Sequence, residues 1–261
     1  MIGRWLSGLR ERRNARTLER RPIPEPLWRL TLQRFPFLAR LDAEGGARLR
    51  ELATLFLAKK EFAGPMEVSD EMAVAIAAQA CLPILRLGLH WYDGFVGIVV
   101  HADAVQVRRE ITDDDGVVHE YDETLAGEAM EGGPVMLAWR DVEGAAESAE
   151  WGYNVVIHEF AHVLDFRAGL TREASSSGDD DDNDERKRWM KAFDACFLRF
   201  CDEVERGDET FLDPYGAEGI EEFFAVASEA FFVSPAESKA ERPQLHALLA
   251  RFYLQDPAAG G

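Results

Sequence analysis

Cysteine is scarce in this chain: 261 residues include only Cys81, Cys196 and Cys201. Three thiols cannot all pair within one chain. Cys196 and Cys201 are also five apart on a helical pattern, which points them to different faces. The three fit buried thiols in a reducing compartment better than a disulfide framework. Long apolar runs are missing too. The longest, Ala73 to Leu85, is interrupted by Gln79 and Pro83, short of the roughly 18 to 20 residues a membrane span needs. Near the start, Trp5, Leu6 and Leu9 are separated by Arg and Gly, so no continuous export-signal core forms. Together these absences predict a cytoplasmic protein. Positive charge is the third deficit. With 29 Lys and Arg against 48 Asp and Glu, the formal net charge is −19, which argues against direct binding of nucleic acid through its phosphates.

What is present reads as one globular chain, because a hydrophobic fraction of 47% is too high for wholesale disorder. The charge is uneven. Residues 1–21 hold seven Arg and two Glu, a local balance of +5 that leaves −24 on the remainder. Residues 1–25 are expected to be a flexible, basic tail, with the makings of a contact to a membrane surface or an acidic partner. Residues 26–257 are expected to form a single domain. Its sheet-containing part runs to about 165 and its helical part covers 186–257. Between them lies an acidic loop, 174–185, too irregular in spacing for an EF-hand.

Hydrophobic spacing predicts helices over Leu30–Ala58 with a break near Pro36, and from Ser69 and Asp70 to about Pro83. The pattern then turns β-like. Gly94–Val100, Ala104–Val107 and Pro134–Trp139 are short runs rich in Val, Ile and aromatics between Asp and Gly clusters. Helical periodicity returns over 147–165, 186–205, 218–232 and 243–253. Helices, then a small sheet, then helices make the expected fold class α+β, with one helix packed on the sheet.

That helix carries His158-Glu159-Phe160-Ala161-His162. Two His at i and i+4 project from one helix face and can share one Zn²⁺. Glu159 is swung beside such a metal rather than onto it, where it can act as general base. Two His need a third protein ligand. Candidates lie in the apolar segment Glu221–Phe232, where Glu222 and Glu229 share a face at i and i+7 while Glu221 is rotated away. A Glu inside so apolar a helix is costly without a metal or partner group. One of the two is the expected ligand and the other its support, and spacing does not choose. Asp165, three residues past His162, can orient that imidazole or hold the helix end. His90, His101 and His246 have no motif context and read as structural or surface residues.

His158–Asp165 and Glu222–Phe232, with Leu82–Leu85, Trp91–Phe95, Gly133–Trp139 and Phe252–Pro257, resemble the Mlc titration factor A family. These are glucose-regulated zinc peptidases, also called DgsA anti-repressors, and the similarity spans about residues 30–257. It implies a zincin-like fold, one Zn²⁺ per chain and aminopeptidase-like hydrolysis of peptide substrates. It also implies that Glu222 is the third ligand, with Glu229 in support. By the same matching, Tyr215 is a phenol that stabilises the oxyanion, and His119 is a further histidine associated with the metal. The other role it implies is sequestration, without cleavage, of a transcriptional repressor of sugar uptake of the Mlc type. The chain departs from the family in its acidic insert, Ser175–Glu185, where relatives carry a segment containing Gly and Pro.

Overall fold

Most of the chain is helical, and a small sheet gives one helix a surface to lie on. A computed structural model describes residues 2–112, 118–148, 152–171 and 180–259, without the side chains of 2–10, 107–112, 118–124, 146–148 and 180–183. Helices α1 (Ile2–Arg20), α2 (Glu25–Arg34), α3 (Ala43–Leu57) and α4 (Asp70–Cys81) come first, with a 3-10 turn at Pro36–Arg40. The break at Pro36 follows from the missing N–H of proline. Ser69 caps α4 by accepting from Met72 N at 3.3 Å.

The sheet has the order β1-β2-β6-β5. Strands β1 (Glu61–Ala63), β2 (Gly97–His101) and β6 (Val135–Ala138) are parallel, and β5 (Gly127–Ala129) runs antiparallel along β6 at the edge. Strands β3 (Val105–Thr112) and β4 (Val118–Leu125) form a separate antiparallel pair that leads into β5. The fold is therefore mixed, with a small mixed sheet and mostly helices, as expected. Helix α5 (Trp139–Ser148) follows β6, and then α6 (Val155–Ala168) crosses the sheet. The helical part is α7 (Asp180–Glu205), α8 (Ile220–Val233), α9 (Pro235–Glu241) and α10 (Pro243–Tyr253).

Two aromatic clusters fix the helices that matter. Phe160 of α6 meets Phe56, Tyr92 and Phe95 with ring centroids 5.0–5.9 Å apart. On the other side, Phe223, Phe224 and Phe231 of α8 pack among Phe193, Phe200, Phe252 and Tyr253. Rings in these tilted, edge-on and stacked arrangements add stabilisation beyond their buried area. Helix α6 is thereby held between sheet and α8.

Within residues 1–25 the structure has helix α1, and Leu18 packs against the core; its Arg residues are good helix formers. Two expectations need correction. The acidic loop ends earlier than expected, because α7 begins at Asp180. The acidic run therefore continues into a helix instead of excluding one. Residues 172–179 lie outside the described residues. The helix expected from 147 is two helices, parted by Gly152 at φ +74° and an Asn154 cap.

The thiols of Cys81, Cys196 and Cys201 are all free, the first two buried and Cys201 partly so. No helix among the described residues is long and apolar enough to cross a membrane.

The chain end is tied back by Asp256, which accepts from His246 Nε2 and Lys239 Nζ, each at 2.9 Å, and from Ala258 N. Burial opposes its charge, but the hydrogen bonds from His246, Lys239 and Ala258 outweigh it and hold the carboxyl down at about 2. A depressed carboxyl stabilises the fold above its unfolded pKa of about 3.9 and loses that contribution as pH falls through about 2. Asp256→Asn is accordingly expected to cost about 1 kcal/mol near neutrality, after solvent screening. Denaturation curves should show the gap from wild type closing between pH 4 and 2; a gap independent of pH would refute this.

Candidate metal centre

Helix α6 begins at Asn154, whose side-chain oxygen accepts from Ile157 N at 2.9 Å. Val155, Val156 and Ile157 then bury its first turn, and Gly169 ends it in the left-handed region at φ 58°. Glycine takes that conformation without steric cost. Between these ends, Phe160 drives one face into the aromatic cluster, so His158 and His162 emerge together on another.

Helix α8 brings its acids to them. Glu222 Oε2 lies 3.1 Å from His158 Nε2 and 3.4 Å from His162 Nε2, while the two Nε2 atoms are 3.2 Å apart. Three donors from two helices converge on one point, as a cation site requires, and these residues could hold a metal ion. A tetrahedral ion with bonds of about 2.0–2.1 Å separates its ligands by about 3.3 Å, so the donor set fits. Glu221 is exposed, as its register predicts.

Glu229, one face and two turns further along α8, is buried and supports His158 instead. His158 donates from Nδ1 to Glu229 Oε1 at 2.7 Å, and the other carboxylate oxygen accepts from Asn154 N. A carboxylate behind an imidazole fixes its tautomer and ring plane, leaving Nε2 for the metal point. Asn154 in turn donates from Nδ2 to Gln79 Oε1 at 2.7 Å, and Gln79 Nε2 donates to Ala75 O at 3.1 Å. The histidine is thus anchored through α8 and α6 to α4. Glu229→Gln puts an amide donor against either His158 Nδ1–H or Asn154 N–H. It is expected to weaken metal binding by about 10–100-fold, read by competition with a chelator; unchanged affinity would remove Glu229 from the site.

The electrostatics favour positive charge here. Burial disfavours a charged His158, yet its hydrogen bonds to Glu222 and Glu229 and the charges of Glu229 and Glu159 hold it well above its ordinary value. Burial also opposes ionisation of Glu222, but hydrogen bonds from His158 and His162 pull it down to about 2. Glu229 is raised, chiefly by burial, against the pull of His158 and Asn154.

Glu159 is 5% exposed. Burial pushes it up to about 7, the two imidazoles pull it down, and Glu222 and Glu229 add to the rise. A carboxyl poised there can both take and give a proton near neutrality. It borders a cleft of about 300 Å³ lined also by Gly127, Tyr153, His158, Asp213 and Tyr215. Tyr215 sits in the 3-10 turn Pro214–Ala217, which Asp213 caps by accepting from Tyr215 N at 2.9 Å. The phenol is 39% exposed, and its ring centroid is 6.1 Å from that of His158.

Asp165 accepts from Thr171 N at 3.0 Å and Thr171 Oγ1 at 2.5 Å, so it holds the end of α6, the second of the roles open to it. His119 is on β4 opposite Ile111, and its side chain is outside the described residues. Buried His246, between Ser238 and Asp256, is structural as expected.

Sequence reasoning missed Asn154, Gln79, Tyr153 and Gly127. The first two had a signal: Asn154 precedes an apolar run, as helix caps do, and Gln79 interrupts one. Tyr153 and Gly127 had none.

A family model described as glucose-regulated metallo-peptidase M90 matches residues 9–254. An uncharacterized protein of Synechocystis sp. is 36% identical over 244 residues, covering 92% of this chain and 87% of that protein. Mlc titration factor A of Salmonella gallinarum is 34% identical over 227 residues, covering 85% and 84%. The same-named protein of Enterobacter sp. is 33% identical over 227 residues, covering 85% and 83%.

Proposed function

The chain belongs to the glucose-regulated metallo-peptidase M90 family, and on that premise we propose that it is a zinc-dependent, zincin-like peptidase with aminopeptidase-like activity. The observation that carries this reading is the reach of one Glu222 oxygen to both imidazoles, 3.1 and 3.4 Å away. His158, His162 and Glu222 would hold one Zn²⁺. When bound, the ion lowers the pKa of water toward neutrality and polarises the scissile carbonyl.

The chain's own groups do the rest. Glu159, held near neutrality, takes a proton from the attacking water and returns it to the leaving amine. Tyr215, exposed beside His158, offers its hydroxyl to the oxygen that gains charge. Glu229 keeps His158 oriented throughout, and the walls of the cleft exclude bulk water from Glu159.

The test is metal content together with hydrolysis of a panel of aminoacyl and peptide chromogenic substrates. One zinc per chain with turnover is expected; a metal-free or inert protein would overturn the reading.

A second role is favoured by the name that relatives at 33–34% identity carry, Mlc titration factor A. On this reading the chain binds and sequesters a transcriptional repressor of the Mlc type without cutting it. A pull-down with Glu159→Gln separates the two. Undiminished capture of intact repressor supports sequestration, and no capture by either form removes it.

A further inference from the structure

We infer that Gly127 is a positioning residue for Glu159: the space left by its missing side chain is where the glutamate carboxylate is held. The inference rests on the peptidase reading above and adds a residue to it. Gly127 is on β5, the edge strand of the sheet, paired with Leu137 of β6. A Cβ on Gly127 would lie 2.4 Å from Glu159 Oε1, 2.6 Å from its Cγ and 2.7 Å from its Cδ.

Backbone conformation does not explain the glycine. Gly127 is not among the positive-φ residues, and an ordinary strand residue would pair better at this position. A lone glycine in a strand commonly marks a close approach, and here the approaching group is Glu159 itself. Nor can the glutamate yield freely. It is buried, and Phe160 beside it is locked against Phe56, Tyr92 and Phe95. Restoring ordinary contact with a Cβ requires the carboxylate to move by about 1 Å, and a displacement of that size can cost about 10²-fold in rate. The metal-ligating atoms are not among the atoms nearest the added carbon.

Gly127→Ala is therefore expected to lower kcat by about 100-fold, with KM and zinc per chain near wild type and the melting temperature lowered by only a few degrees, as overpacking at one buried contact does. In a Glu159→Gln background the same change should cost nothing further, because the group it displaces no longer carries protons. Loss of zinc, a collapse in melting temperature, or equal losses in both backgrounds would make Gly127 a structural residue and overturn the inference. Wild-type kcat in Gly127→Ala would overturn it as well, while leaving the peptidase reading intact. An inert wild-type protein would instead remove the peptidase reading, and the inference with it.

Discussion

Glu159→Gln is expected to keep one zinc per chain and to lose turnover by about 10²–10⁴-fold, the range of general acid–base catalysis. The two halves of this expectation come from different parts of the geometry. Metal retention follows because the converging donors are His158 Nε2, His162 Nε2 and Glu222 Oε2, 3.1–3.4 Å apart, and Glu159 is not among them. The amide keeps the size of the carboxylate, so it still fits the space over Gly127. Lost turnover follows because an amide cannot accept a proton from water at neutral pH.

The carboxyl is unusually suited to proton exchange, since burial raises it to about 7 against the pull of two imidazoles. The amide substitution also removes a buried ionisable group, so melting temperature should hold or rise. Single-turnover kinetics and elemental analysis on the same preparation check both halves. Turnover within a few-fold of wild type would sink the role assigned to Glu159, and zinc loss would mean that the glutamate supports the metal.

The parts of this site that were legible in the sequence are those set by helical periodicity. His158 and His162 share a face because they are four apart, and Glu222 and Glu229 share one because they are seven apart. Both relations hold whatever the surroundings. The choice between Glu222 and Glu229 did not follow from spacing, because it depends on where α6 lies along α8. The crossing sets one oxygen against both Nε2 atoms and the other acid against Nδ1.

Gly127 was illegible for a related reason. Its closeness to Glu159 comes from packing an edge strand against a helix more than 25 residues later in the chain. The fold shows the same division. Helices from Ser69 and over 243–253 were readable from caps and spacing. The three-residue strands β1 and β5 are too short to show alternation, and they exist because β2 and β6 offer hydrogen-bonding edges. At α7, acidic composition read as a loop was the start of a helix.

Glu222→Ala is expected to abolish stoichiometric metal binding and with it activity, and the loss should exceed the 10–100-fold assigned to Glu229. Two imidazoles remain, but among the described residues the Glu222 carboxylate is the one negative group that reaches both Nε2 atoms. The variant also tests whether this cluster of groups exists to hold an ion. In wild type, zinc binds the folded state, so its melting temperature should rise with zinc. At 100 times Kd the gain is about 2.7 kcal/mol. In Glu222→Ala that increment should vanish.

The metal-free proteins must be compared as well, because Glu222 is held down at about 2 by His158 and His162 even among protein groups alone. A carboxyl depressed in the folded state stabilises it above the unfolded value of about 4.3, and that contribution is lost as pH falls toward 2. Metal-free Glu222→Ala should therefore already be less stable than metal-free wild type near neutrality, and the difference should close in acid. His158→Ala gives the matching control, since it removes a donor of the same point from α6 and strands Glu229 without its imidazole. If zinc still raised the melting temperature of both variants as it does wild type, the ion would bind elsewhere, and the three residues would form no more than a buried ion-pair network.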